Sequence, residues 1–234
     1  MRRASILLTS FIALTGAAWA GPEADKIYQE RLSILTGAFA GGSLEALYQP
    51  REKVAGAGAS ALPVATPVQR SIKQEALDAA RAYTEASKAE AFIVWHDGRI
   101  QDEAYFNGVA ADTPLASKSL SKPMTAMIIG RAIQMGHIKS LDQSVADYIT
   151  EWQGTPKAAM KLRHLLDMRT GFLEQGFSPD PNSPWNLAYL SSDHGTYIIK
   201  DYPLTHEPGT RYGYSNATSE LIAVVIERAT GRRY

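Results

Sequence analysis

"LASKSLSKPMTAMIIG", Leu115 to Gly130, is the stretch on which the reading of this chain turns. Three serines and two lysines stand ahead of an apolar run. Ser119 and Lys122 are three residues apart, so on a helix they share one face, a turn apart. No other serine in the chain has a lysine at that spacing: Ser117 is followed there by Leu120, and Ser121 by Met124. The spacing has a chemical use. A serine hydroxyl is a weak nucleophile until a base stands beside it, and a lysine can be that base when desolvation or a neighbouring cation depresses its pKa. A serine at a helix start also lies where free backbone N–H groups favour negative charge. The same four residues have a plainer meaning, an N-cap serine with a solvated lysine. Pro123 falls in the first turn, where its missing N–H does little harm, so the helix is expected to begin at or just before Ser119.

Upstream, "AFIVWHDGRIQDEAYF" places two β-prone runs around Asp97-Gly98, a type I′ hairpin signal. The run Ala91 to Trp95 is continuously apolar, which predicts a strand covered on both faces. Ser71 to Ser87 is made of strong helix formers. Residues 50–68, rich in Gly, Ala and Pro, read as an extended connector, and "KIYQERLSILTGAFA" before them has a weak amphipathic pattern. Downstream, the helix from Ser119 should stop at Gly136, and "SLDQSVADYI" opens with a capping-box pattern from Ser140 to Gln143. "KLRHLLDM" reads as a short helix, and residues 172–188, with Pro179, Pro181 and Pro184, as loop. Ala217 to Thr230 is a clear helix closed by Gly231.

The first residues look like an export signal: basic "MRR", an apolar core, then "AWA" before Gly21. Residues 1–20 are therefore set aside as a cleavable leader, giving a periplasmic or secreted protein with no membrane anchor after cleavage. The chain divides further into an extension and connector (21–70) and a main domain (71–234), the latter made of a helix and hairpin (71–115) and a helical region (116–234). The full sequence has 24 basic and 24 acidic residues, and without Arg2 and Arg3 the balance is near −2. That gives no support to a nucleic-acid partner. The chain has no cysteine, which excludes disulfides, thiolate nucleophiles and thiolate metal sites. The five histidines lack metal-ligand spacing, so no metal and no cofactor is expected. His164 reads as a helix residue with local hydrogen bonds. Trp185 and Tyr189 offer aromatic faces either to a substrate cleft or to the core.

An acyl-transfer site needs a second group to carry a proton to the leaving group. "YSN", Tyr214 to Asn216, stands just before the last helix and offers a phenol and an amide. Its plainer meaning is a turn aromatic with a capping Asn. "YFN", Tyr105 to Asn107, has the same Tyr-x-Asn form but falls in the second strand of the hairpin.

Taken in order, "FIVWHDGRIQDEAYFNGV", "SKSLSK", "LRHLLDMRTGF" and "EPGTRYGYSNATSELIAVVIERATGRRY" resemble the serine β-lactamase-related family, which includes class C β-lactamases, DD-peptidases, related esterases and 6-aminohexanoate-dimer hydrolases. The likeness runs from about residue 90 to the end, and Val54 to Pro67 resembles the lead-in of the hydrolase branch. The resemblance implies an α/β (α+β) fold: an antiparallel sheet flanked by helices, a helical domain inserted after the hairpin, and an active site between the two. It implies that Ser119 is the acylated nucleophile, Lys122 its base, Tyr214 the proton carrier and Asn216 a substrate contact. The Ser119 N–H would be half of an oxyanion hole. The expected partner is a small-molecule amide or ester: a β-lactam, a peptide, an amino-acid oligomer or a carboxylic ester. One departure stands out. The family's third motif, Lys-Thr-Gly or a His-x-Gly equivalent, belongs on a strand well downstream of Tyr-x-Asn. This chain stops 18 residues after Asn216 and has no Lys-Thr-Gly. The expectation is thus an incomplete sheet and weak activity. Beside the exported serine hydrolase stand two other readings, a non-catalytic penicillin-recognising module or inactive truncated fragment, and a purely structural domain in which Ser119 and Tyr214 are caps.

Overall fold

A computed structural model describes residues 25–40, 44–49, 53–55, 58, 60–176, 178 and 180–234; the expected leader, 1–20, lies outside them. The chain divides into two compact units, one of Pro50–Ser117, the other of Met1–Gln49 with Lys118–Tyr234.

The smaller unit is built on a hairpin. Strands β1 (Ala91–His96) and β2 (Arg99–Tyr105) pair antiparallel. The turn between them has φ 51° at Asp97 and 69° at Gly98, the two positive values that a type I′ turn requires. A bulge between Val94 and Trp95 shifts the register. Gln101, at the bulge, is buried; its Nε2 donates to the His96 carbonyl at 3.0 Å, and its Oε1 accepts from the Ser71 N–H at 3.0 Å. Helix α1 belongs to the other unit (Lys26–Phe39); α2 (Gln74–Ala86) packs on β1, with Leu77 buried beneath it. Arg81 of α2 pairs with the buried Asp102 carboxylate of β2, which keeps that charge satisfied. The connector docks by a parallel bridge: the Ile100 N–H donates to Pro63 O at 2.9 Å, and the Ala65 N–H to Ile100 O at 2.8 Å.

One expectation fails here. β1 is not covered on both faces: Ile93 is 55% and Trp95 49% exposed. The continuous apolar run calls for two covering layers, whereas among the described residues β1 has one strand partner, β2, and one helix, α2.

The larger unit is helical. Besides α1 it holds α3 (Lys122–Gln134), α4 (Leu162–Leu166), α5 (Pro184–Leu190), α6 (His194–Lys200) and α7 (Asn216–Thr230). Helix α7 is the axis of its core and packs against α3, α4, α5 and α6. Leu221, Ile222, Val225 and Ile226 form its buried stripe, the i, i+1, i+4, i+5 pattern of one helical face. The helix ends as its sequence indicates, at Gly231 in the left-handed region with its N–H returning to Glu227 O. Trp152 closes one end of the core: it is 2% exposed, its Nε1 donates to Ile199 O at 2.8 Å, and Phe172 meets it edge-on at 6.0 Å between centroids. Helix α1, part of the segment set apart as an extension, packs on α5. Its N-cap Asp25 accepts from the Tyr28 N–H, and the second carboxylate oxygen takes the Ser192 N–H and Oγ at 2.7 Å.

Two local expectations are corrected. The capping-box pattern at Ser140 does not start an α-helix. Residues 140–152 run as turns and short 3₁₀ segments. Their backbone groups are already taken across the chain, with the Val145 N–H on Met160 O and the Leu162 and Arg163 N–H groups on Gln143 O and Leu141 O. The Gln143 side chain instead accepts from the Lys139 N–H at 3.0 Å. The supposed loop 172–188 gives way to α5 at Pro184. Ser183 caps it by accepting from the Asn186 N–H at 3.3 Å, and proline at the first position needs no donor.

Candidate active site

Ser119 sits in a 3₁₀ turn, Lys118–Ser121, that leads directly into α3 at Lys122. Lys118 has φ 51°, a left-handed value that costs a non-glycine residue of order 1 kcal/mol or more and marks a constrained turn just before the candidate nucleophile. The three serines of the opening stretch separate cleanly. Ser121 turns its Oγ back onto the Lys118 carbonyl at 2.9 Å, a local bond that occupies it. Ser117 falls in the other unit. Ser119 is exposed, and its Oγ lies 2.8 Å from the Tyr214 hydroxyl and 2.9 Å from Lys122 Nζ.

Tyr214 and Asn216 are brought to this point by α7. The helix packs along α3, so its first residue meets the first residue of α3. Lys122 Nζ donates to Ser119 Oγ and to Asn216 Oδ1, each at 2.9 Å, and stands 5.1 Å from the centre of the Tyr214 ring. The phenol of Tyr214 is held below its ordinary pKa of 10.0, first by the hydrogen bond from Lys122 and then by that from Ser119. Burial works in the opposite direction and is the weaker influence. The four residues named from sequence therefore form one connected group: nucleophile candidate, cation, phenol and amide.

The second Tyr-x-Asn stays apart. Tyr105 OH is bonded to Glu103 two residues back, and Asn107 Nδ2 donates to Ala89 O at 3.2 Å. His164 sits in α4 and accepts from the Lys161 N–H at 3.2 Å, with burial pushing its pKa down. Trp185 is buried and stacks on Tyr189 at 5.2 Å, so it belongs to the core rather than to a cleft. Among the described residues no group of His, Asp or Glu is arranged to hold a metal ion.

Sequence reasoning missed the strand-like segment 168–175 that braces "YSN" from behind. Gly213 N–H donates to Met168 O at 2.8 Å, Thr170 Oγ1 and Thr218 Oγ1 meet at 2.9 Å in the core, and the Gln175 N–H donates to Tyr214 O at 2.8 Å. The Gln175 side chain also accepts from the Asn216 N–H at 3.1 Å. Gly171 makes the close approach possible. Its φ is 78°, and a Cβ there would lie 2.1 Å from the His206 carbonyl oxygen. The "TG" of Thr170-Gly171 was the available signal, a turn glycine whose purpose depends on a neighbour more than thirty residues away.

The profile of the beta-lactamase family matches residues 79–234. This chain belongs to that family. The 6-aminohexanoate-dimer hydrolase of Paenarthrobacter ureafaciens is similar to it, 26% identical over 160 residues that cover 64% of this chain and 40% of the relative. A solved structure from Bacillus anthracis, assigned as a 6-aminohexanoate-dimer hydrolase, superposes with a TM-score of 0.53 at 25% identity, covering 74% of this chain and 49% of that one. A Bacteroides dorei protein assigned as a beta-lactamase shares the fold, with a TM-score of 0.56 at 20% identity over 69% of this chain and 47% of its own. The chain thus spans less than half the length of these relatives. The α/β class with a small antiparallel sheet agrees with the sequence expectation, and the resemblance is to hydrolases.

Proposed function

We propose that this family member is an exported serine hydrolase that works through an acyl-enzyme on Ser119. The observation that carries the reading is the pair of contacts at Ser119 Oγ, 2.8 Å to a phenol of lowered pKa and 2.9 Å to a lysine ammonium. In the first step Ser119 Oγ attacks the carbonyl carbon of an amide or ester. Its proton passes to the oxygen of ionised Tyr214, which Lys122 stabilises. Tyr214 then gives that proton to the leaving amine or alcohol as the carbonyl–heteroatom bond breaks. A water molecule, deprotonated by Tyr214, attacks the Ser119 ester, and the proton returns to Ser119 as the acid leaves. This shares the base role between Lys122 and Tyr214 rather than giving it to Lys122 alone. Lys122 donates to both Ser119 and Asn216, which is the work of a cation rather than of a free amine.

With Asn216 Oδ1 on Lys122, its Nδ2 donors are available to a substrate carbonyl, and the Ser119 N–H supplies one oxyanion donor. The substrate class is a small amide or ester, with an amino-acid oligomer favoured by the likeness to 6-aminohexanoate-dimer hydrolases. Export rests on the leader pattern of residues 1–20.

A fluorophosphonate probe tests the reading. One label per chain is expected, mapped to the peptide carrying Ser119, lost in Ser119→Ala and kept in Ser121→Ala. Labelling that survives Ser119→Ala and disappears in Ser121→Ala overturns it.

A further inference from the structure

Between the phenol and the amide of the site stands Ser215, with φ −150° and ψ 126°. In such an extended residue the preceding carbonyl and the following N–H point to the same side, where a neighbouring strand would normally receive both. No strand is paired there among the described residues, yet both groups are bonded, and to a single residue. The Gln175 backbone N–H donates to Tyr214 O at 2.8 Å, and the Gln175 side-chain Oε1 accepts from the Asn216 N–H at 3.1 Å. The other unit shows the ordinary form of this pair. There Ile100 gives its N–H to Pro63 O and its own backbone carbonyl to the Ala65 N–H, making a parallel bridge. At Gln175 the side-chain amide takes the place of the backbone carbonyl.

We propose that Gln175 is the positioning residue of the Ser119 site, a one-residue substitute for a neighbouring strand that sets the spacing of Tyr214 and Asn216. The role rests on the hydrolase reading above. Its physical content is that the two residues clamped are the two whose side chains reach the opposite partners: Tyr214 on Ser119, and Asn216 on Lys122. Ser215, at the N-cap position of α7, makes no side-chain cap bond to the helix, so Gln175 meets a need of the helix start that the N-cap leaves open. Gln175 touches neither Ser119 nor Lys122; its bonds to the segment are to backbone atoms, so it acts through Tyr214 and Asn216. The rest of segment 168–175 is held independently. Gly213 is tied to Met168 O, Thr170 to Thr218, and the Thr205 and His206 N–H groups to Gly171 O at 2.8 and 3.0 Å. Removing the Gln175 amide therefore slackens the Tyr214–Asn216 segment and leaves the brace standing. A displacement of about 1 Å between reacting groups costs on the order of 100-fold in rate.

The test compares the full chain with Gln175→Met, which keeps the length and loses the acceptor, and Gln175→Glu, which keeps an acceptor. The rate of fluorophosphonate labelling at Ser119 is measured beside two readouts that need no turnover: amide hydrogen exchange at Asn216 and NMR titration of the Tyr214 phenol. Gln175→Met is expected to label about 10–100-fold more slowly, to exchange the Asn216 amide at least tenfold faster, and to titrate Tyr214 closer to the ordinary tyrosine value. Gln175→Glu is expected to restore Asn216 protection and most of the labelling. A Gln175→Met protein with wild-type labelling, exchange and phenol titration overturns the proposal. So does a labelling loss that Gln175→Glu fails to recover while Asn216 protection is unchanged in both variants. Should the wild type fail to label at Ser119 while Gln175→Met still loses Asn216 protection and shifts Tyr214, the hydrolase reading falls and the clamp stands.

Discussion

Replacing Tyr214 by Phe removes one oxygen atom and leaves the ring, the backbone bond from Gln175 and the packing of α7 in place. That oxygen lies 2.8 Å from Ser119 Oγ and is the only group there, besides Lys122, able to take the serine proton. A positioned acid–base group contributes about 10²–10⁴ in rate, or about 3–5 kcal/mol at the transition state. The hydroxyl faces an exposed serine, so its loss should change stability by no more than about 1 kcal/mol. Fluorophosphonate labelling followed by intact mass, read from pH 6 to 10.5 (roughly the span set by the tyrosine reference pKa), separates these effects. In the wild type the rate should rise with pH as the phenol ionises, with a midpoint below the ordinary 10.0 because Lys122 and Ser119 favour the phenolate. Lys122→Met removes the larger of those two influences, so its residual limb should move up towards 10.0. Tyr214→Phe should lack the limb altogether and label about 10²–10⁴-fold more slowly. A Tyr214→Phe protein that labels within about threefold of wild type, far inside that range, or that keeps the same limb, would show that the proton takes another route and that the phenol is only a turn aromatic.

Other expectations follow from particular contacts. Gly171→Ala places a methyl 2.1 Å from a backbone oxygen at φ 78°, where no flexible side chain can give way; chemical denaturation should show a loss of about 2–5 kcal/mol, and an unchanged midpoint would refute the close approach. His194 and Glu220 form a half-exposed pair at 2.9 Å, in which the carboxylate raises the imidazole pKa and the imidazolium lowers the carboxyl pKa. The histidine contribution is full below its ordinary 6.5 and fades as pH rises through the raised value; the glutamate contribution is full above its ordinary 4.5 and fades as pH falls through the lowered one. The stability gap between wild type and Glu220→Gln should therefore be widest between those two values and close on either side, staying within about 1 kcal/mol because solvent screens the pair. A gap that is flat from pH 4 to 9, a window of roughly two units around the reference values, would count against an ion pair.

Much of the chain was legible because its signals are local. The hairpin follows from Asp97-Gly98, whose two residues take the positive φ values that few other pairs adopt at low cost. Helix α7 follows from its apolar stripe and from Gly231. Where local signals misled, tertiary bonds had claimed the same groups. Ser140 and Gln143 offer a cap, but the backbone beyond them is paired to residues 160–163, and a helix there would leave those partners unmet. At β1 the apolar run correctly indicates a strand that prefers burial, while Ile93 and Trp95 remain half-exposed for want of a second covering layer among the described residues.

The sequence by itself determined which serine to single out, because i to i+3 spacing on a helix start is a geometric fact that needs no knowledge of the rest of the fold. It also determined that Tyr214 and Asn216 stand at the head of another helix. Only the tertiary structure decided that these two helix starts meet, across a separation of 95 residues. The reason is the burial of the α7 stripe against α3, a consequence of which surfaces are apolar and how closely they pack, which no spacing rule records. Gln175 belongs wholly to that second kind of information. As a letter in the chain it is an ordinary polar loop residue, and its bonds to Tyr214 and Asn216 exist because Gly171 lets two distant segments approach to within hydrogen-bonding distance.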